Sequence, residues 1–164
     1  MTPGALAVEV RTAGAALAGR QGQWVAALEP WKSLGYEAPG LSRFLRRVAG
    51  AGNVLVAVET TRPGGRGRVA GVLAMQEGVL LGHFVSLLAV RAEAAGRGVG
   101  RALMAAVEAR TPPRRWLYVS ADADNAAALA FYRKVGFKRV GRLPDLVREG
   151  RVELLLRKPV ARPS

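Results

Sequence analysis

Three glycines, Gly96, Gly98 and Gly100, stand at two-residue spacing between an apolar strand end, Leu88-Ala89-Val90, and a helix-forming stretch that opens Val99-Gly100-Arg101-Ala102. A strand that turns into a helix over glycines can hold phosphate. The first N–H groups of a helix have no partner within it, the helix dipole makes that end positive, and glycine has no Cβ to keep an anion away. Two phosphate motifs are set aside. A P-loop closes on Gly-Lys-Ser/Thr, whereas Gly100 is followed by Arg101-Ala102. A dinucleotide fingerprint needs a third glycine three residues after the second, where Arg101 or Leu103 stands. Read alone, the stretch is either a cradle for another diphosphate or a glycine turn without a ligand.

The other chemistry-bearing side chains are few. With no cysteine, thiolate nucleophiles, disulfides and zinc–thiolate sites are excluded by inventory, and a single histidine, His83, does not make a metal site. The run His83-Phe84-Val85-Ser86-Leu87-Leu88 carries no carboxylate and only His83 and Ser86 as polar side chains, so a general base, where one is needed, would be His83, the preceding Glu77 or a water chain. Further on, Ala128, Phe131 and Val135 share one helical face and are expected to pack inward. That leaves Tyr132 at the margin, where its phenol could give a proton to a leaving group. Asn125 can cap the same helix.

These residues need a scaffold, and 164 residues, half of them hydrophobic, suffice for one substantial core. One domain is expected over residues 1–158, with a frayed tail at 159–164. The net charge is +13, but the basic residues are spread along the chain without forming a stripe, and arginine outnumbers lysine 21 to 4. Nucleic acid is therefore admitted as a partner but not favoured. The apolar run at residues 69–90 is broken by Glu77, Gly78, Gly82 and His83, and its spacing suits strands rather than a membrane span. No export signal is apparent in the first ten residues, so a cytoplasmic location is the default expectation.

Helix and strand signals alternate. A strand is expected at residues 6–10, then an alanine-rich helix capped by Thr12 and running roughly to Leu28, where Pro30 ends it. A connector bearing Trp31, Tyr36 and Glu37 leads to a helix near residues 41–49. Strands follow at 54–58 and 69–75 around a glycine-rich loop, and another at about 81–90 delivers the chain to the glycine cluster. Beyond it come a helix to Arg110 stopped by Pro112-Pro113, a strand at 116–119, a helix at 125–135, a strand near 137–140, a polar excursion through Leu143-Pro144-Asp145, and a last strand at 152–156.

Val90, the Gly98-x-Gly100 turn and the run Asn125-Ala-Ala-Ala-Leu-Ala-Phe-Tyr132 that ends in Gly136-Phe137 occur in the order of a known signature. Over residues 83–140 the chain resembles the GCN5-related N-acetyltransferase (GNAT) superfamily. The resemblance implies an α/β (α+β) fold: a mixed, largely antiparallel sheet of about seven strands, splayed between strands 4 and 5, with about four flanking helices. One departure is clear, because the Arg/Gln position of the first motif falls on Ala95.

Acetyl transfer from acetyl-CoA to a primary amine of a small molecule or protein is the implied activity, with CoA and the amine as partners and no metal. Leu88, Ala89 and Val90 would face the acetyl-pantetheine arm. Ala95, Gly96, Arg97, Gly98, Val99, Gly100, Arg101 and Ala102 would hold the diphosphate through backbone amides, which do not depend on side-chain identity. Asn125 would touch the CoA arm and Tyr132 would serve the departing sulfur as general acid. Trp31, Tyr36 and Glu37 would line the acceptor side. A homodimer paired through edge strands is also admitted. The competing reading is a basic CoA- or nucleic-acid-binding module with this fold and impaired catalysis.

Overall fold

The computed structural model describes residues 7–161, which form two compact units: residues up to Met75 with Leu87–Val107, and Gln76–Ser86 with the chain from Glu108 onward. In chain order the elements are β1 (Ala7–Thr12), α1 (Ala15–Arg20), α2 (Gly22–Ala26), α3 (Ala38–Ala49), β2 (Val54–Thr60), β3 (Arg68–Val79) and β4 (Gly82–Val90). A single 3₁₀ turn (Ala92–Ala94) follows, then α4 (Val99–Arg110), β5 (Trp116–Asp122), α5 (Ala126–Lys134), β6 (Lys138–Pro144) and β7 (Val152–Pro159). The strands order as β1-β2-β3-β4-β5-β7-β6. Ladders β1–β2, β2–β3, β5–β7 and β6–β7 are antiparallel, while β4 and β5 run parallel. This is the seven-stranded mixed α+β sheet that the motifs implied.

In the first unit, β2 is buried on both faces, and strand alternation decides what covers each. Val54, Val56 and Val58 join Val72, Ala74, Leu87 and Ala89 in a core closed by Ala18, Val25, Leu41 and Leu45 from the three N-terminal helices. The other face of β3 takes α4. A Cβ added at Gly71 would stand 2.7 Å from Val99 Cγ1 and 3.0 Å from Leu103 Cδ1, so the missing side chain lets α4 lie directly on the strand.

The long first helix expected from the sequence is two short ones. Thr12 ends β1 instead of capping, and the N-cap position of α1 is Gly14, which has no side chain to offer. The break falls at Gln21, whose Nε2 donates to the Leu17 carbonyl at 2.8 Å while its Oε1 accepts from Trp24 Nε1 at 2.8 Å. Gly19 and Gly22 flank that break because α3 comes so close: side chains there would collide with Arg46 and Ser42. α3 itself starts three residues early, with proline in its first turn, where the missing N–H costs nothing.

In the second unit, Leu117, Val119 and Ala121 of β5 lie opposite Lys158, Leu156 and Leu154 of β7 and supply buried side chains. Asp122 ties the end of β5 to the start of β7, its Oδ2 meeting Arg151 Nη2 at 2.8 Å. Fraying expected from Pro159 onward does not hold at its start: Pro159 belongs to β7, and Val160 is buried with its N–H on the Arg115 carbonyl at 3.0 Å. Leu6 of the expected first strand and residues 162–164 of the expected tail lie outside the described residues.

Candidate active site

The glycine cluster is an open backbone cradle. Gly96 and Gly98 have φ of 75° and 81°, conformations that L side chains rarely adopt, and a Cβ on either would meet nothing within 4 Å. The first N–H of this turn to bond backward belongs to Ala102, which donates to the Gly98 carbonyl at 2.9 Å. Those of Gly96, Arg97, Gly98, Val99, Gly100 and Arg101 donate to no backbone carbonyl among the described residues. Free donors, glycine-cleared space and a helix N-terminus fit a diphosphate.

The loop is pinned from behind by Arg97. Its Nη2 donates to the Glu93 carbonyl at 2.9 Å and pairs with Glu59 Oε1 at 2.9 Å. This supplies an anchor that the alanine at position 95 cannot, and it turns the Arg97 guanidinium toward the protein instead of a ligand. Arg101 is exposed and without a side-chain partner among the described residues, so it is the cation left over at the helix start.

The approach to the cradle is held by Arg91, whose role was not apparent in the sequence. Its N–H donates to the Ala70 carbonyl at 2.8 Å, its Nε to the Val69 carbonyl at 2.8 Å, and its guanidinium lies 4.5 Å from the centroid of the Trp24 ring. Burial lowers its pKa, with Arg68 adding to the effect. Upstream, the β4–β5 ladder runs from Gly82↔Trp116 only to Val85↔Val119. Leu88, Ala89 and Val90 have no β5 partner, which is the splay the resemblance implied.

In the second unit, Tyr132 departs from the helical-face expectation. It is the buried residue of α5, at 8 % exposure, whereas Ala128, Phe131 and Val135 are only partly covered. The reason is tertiary. Phe137, beyond the turn at Gly136, comes back against Tyr132 edge-on at 5.6 Å, and Phe131 meets it edge-on at 5.4 Å. Burial pushes the phenol up to about 12, and the charge of Glu153 adds to the shift. Among the described residues, no group takes a hydrogen bond from its hydroxyl.

Glu153, on β7, is itself buried, with no signal in the sequence to mark it. Burial raises its pKa, the Ser120 hydrogen bond opposes that, and Asp122 pushes further upward. Asp122 goes the other way: the N–H of Asp124 holds its carboxyl below the usual range, and Arg151 assists. Asn125 caps α5, its Oδ1 accepting from the Ala128 N–H at 3.1 Å.

Of the two base candidates, His83 is buried near the start of β4, with Nδ1 3.2 Å from Thr111 Oγ1. Glu77 is exposed close to the β3–β4 turn. On the acceptor side, Trp31 packs against the first unit's core, Tyr36 is 45 % exposed, and Glu37 is exposed at the N-cap position of α3. Among the described residues no cluster of metal-ligating side chains occurs, and no helix is long and apolar enough to cross a membrane.

Comparison with known proteins bears on this geometry. The family model described as an acetyltransferase (GNAT) domain matches residues 50–139. Among solved structures, Ard1 from Thermoplasma volcanium is 19% identical, with a TM-score of 0.75 over 95% of this chain and 99% of that one. A GNAT-family acetyltransferase from Bacillus cereus ATCC 10987 is 15% identical, with a TM-score of 0.72 over 95% and 99%. A putative streptothricin acetyltransferase from Bacillus anthracis str. Ames, solved with acetyl coenzyme A, is 18% identical with a TM-score of 0.53 over 65% and 61%. A search of curated protein sequences finds no match.

Proposed function

The chain belongs to the GNAT acetyltransferase family, and from that premise we propose that it transfers an acetyl group from acetyl-CoA directly to a primary amine of a small molecule or protein. The observation that carries this reading is the cradle: consecutive backbone donors at residues 96–101 over glycines whose Cβ positions face open space. They take the CoA diphosphate, with Arg101 adding a charge-assisted contact.

Leu88, Ala89 and Val90 offer backbone groups to the pantetheine arm, and an amide among them polarises the thioester carbonyl as charge develops on its oxygen. Holding amine and thioester together supplies much of the acceleration by orientation. Tyr132 is assigned to the leaving sulfur by its place in the family motif. A phenol raised to about 12 keeps its proton at neutral pH, and full transfer to a thiolate of ordinary basicity, about 8.5, is uphill. Its contribution is a hydrogen bond donated as charge builds on sulfur, with solvent completing the protonation. We give no base role to His83 or Glu77; the amine enters neutral or loses its proton to water. Tyr36 and Glu37 remain as acceptor contacts, and Trp31 holds their loop to the core. Asn125 serves the CoA arm only by fixing the start of α5.

The test is release of free thiol from acetyl-CoA over panels of polyamines, amino acids, amine antibiotics and peptide N-termini. At least one amine class accelerates release well above the rate without acceptor. Uniform release across every panel, no faster than hydrolysis, rejects the reading.

A further inference from the structure

β3 and β4 are joined by only two residues, Leu80 and Leu81, with φ of 49° and 61°. A two-residue hairpin with both φ values positive is the turn that Asn-Gly makes without strain. Here leucines fill both places and stay 61 % and 76 % exposed. Neither side chain is rewarded with burial, and the hydrogen bond that Tyr118 Oη donates to the Leu80 carbonyl at 3.3 Å uses the backbone and would serve any residue.

The surroundings of the tip are cationic and aromatic. Gly82 pairs with Trp116, which places the start of β5 beside the turn. Trp116 is partly exposed and carries the Arg157 guanidinium 3.9 Å from its ring centroid. Arg114 and Arg115, just before it, are exposed and have no side-chain partner among the described residues. Arg114 has φ of 64°, so three of the four non-glycine residues at positive φ among the described residues gather here. Strain of this kind persists where it serves a function. Of the nearby carboxylates, Glu108 is held by Lys158 at 2.6 Å and Glu77 is exposed on the hairpin.

We propose that this tip is a docking element for a bilayer surface bearing anionic phosphate headgroups. The two leucines enter the acyl boundary, Trp116 sits at the headgroup level, and Arg114, Arg115 and Arg157 meet the phosphates. A convex tip of two side chains lacks the area that a stable protein interface buries, whereas shallow insertion with a few basic contacts suffices for reversible attachment to lipid.

Co-sedimentation with vesicles tests this. The wild type pellets with phosphatidylglycerol/phosphatidylcholine vesicles, stays in the supernatant with phosphatidylcholine alone, and is released by salt. The double variant Leu80→Asn/Leu81→Gly relieves the turn, so its thermal midpoint is unchanged or higher while its vesicle affinity falls at least tenfold. Arg114→Glu/Arg115→Glu lowers vesicle binding most at low salt. Three results overturn the proposal: no wild-type binding to anionic vesicles, equal binding by the leucine variant, or binding to an RNA oligonucleotide that exceeds vesicle binding and is indifferent to the leucines.

Discussion

Gly71 lies against Val99: a methyl group on the glycine would stand 2.7 Å from the valine Cγ1 and 3.2 Å from the Ala89 carbonyl oxygen. Val99 is the first residue of α4 and is almost fully buried, so this contact fixes the level of the cradle's amides against the sheet. Gly71→Ala is expected to cost about 1–3 kcal/mol through overpacking and to weaken CoA binding several-fold, because the donors shift with the helix. Urea denaturation and calorimetric titration of the same variant check both halves; full CoA affinity in a destabilised variant would detach the cradle from this contact.

Arg97 and Arg101 separate by what they hold. Arg97→Ala removes the tie to Glu59 and the Glu93 carbonyl. It is expected to loosen the loop, seen as faster amide exchange across residues 96–101, and to lower CoA affinity with little salt dependence. Arg101→Ala leaves exchange unchanged and reduces the salt dependence of CoA binding. Identical behaviour of the two variants would contradict this division.

Tyr132→Phe removes a hydroxyl with no protein partner among the described residues, so no stability is expected to be lost. Turnover should fall roughly 10²-fold, the scale of losing one preorganised donor to developing charge, with CoA affinity kept. Steady-state kinetics beside calorimetry give the answer. In the wild type, activity should rise with pH as the acceptor amine deprotonates, with no decline from phenol ionisation until near pH 12.

Glu153 offers a pH test with a definite sign. Its folded pKa is raised, chiefly by burial, so its contribution to stability is fully present below the unfolded glutamate value and is lost as pH rises through the folded value. Glu153→Gln does not titrate and should gain on the wild type in thermal midpoint as pH rises above the unfolded glutamate value, about 4.3. The Tyr132 phenol, freed of a neighbouring negative charge, should titrate below its wild-type value of about 12. A stability difference independent of pH, or an unmoved tyrosine titration, would break the coupling.

Local pattern carried much of this into view from the sequence. The glycine turn, the strand leading to it and the Asn125–Tyr132 helix are short-range features, and all appear where spacing placed them. What spacing cannot show is which distant residue arrives. Phe137 reverses the burial expected on α5, and α3, approaching Gly19 and Gly22, divides an alanine-rich segment that reads as one helix. Arg91 gave no signal because its partners, Val69 and Trp24, lie 22 and 67 residues away. Glu153 reads as one charge in an alternating strand until Ser120 and Asp122 stand beside it.

Whether the glycine turn receives the diphosphate of acetyl-CoA is tested most directly by calorimetric titration of CoA into wild type and Gly98→Ala. A Cβ at Gly98 meets no protein atom within 4 Å, though φ of 81° makes it strained, so the methyl group would occupy the space proposed for the diphosphate. One-site binding to the wild type is expected, with at least tenfold weaker binding to a variant whose circular dichroism remains native. Absence of CoA binding by the folded wild type, or equal affinity in the two proteins, would contradict it.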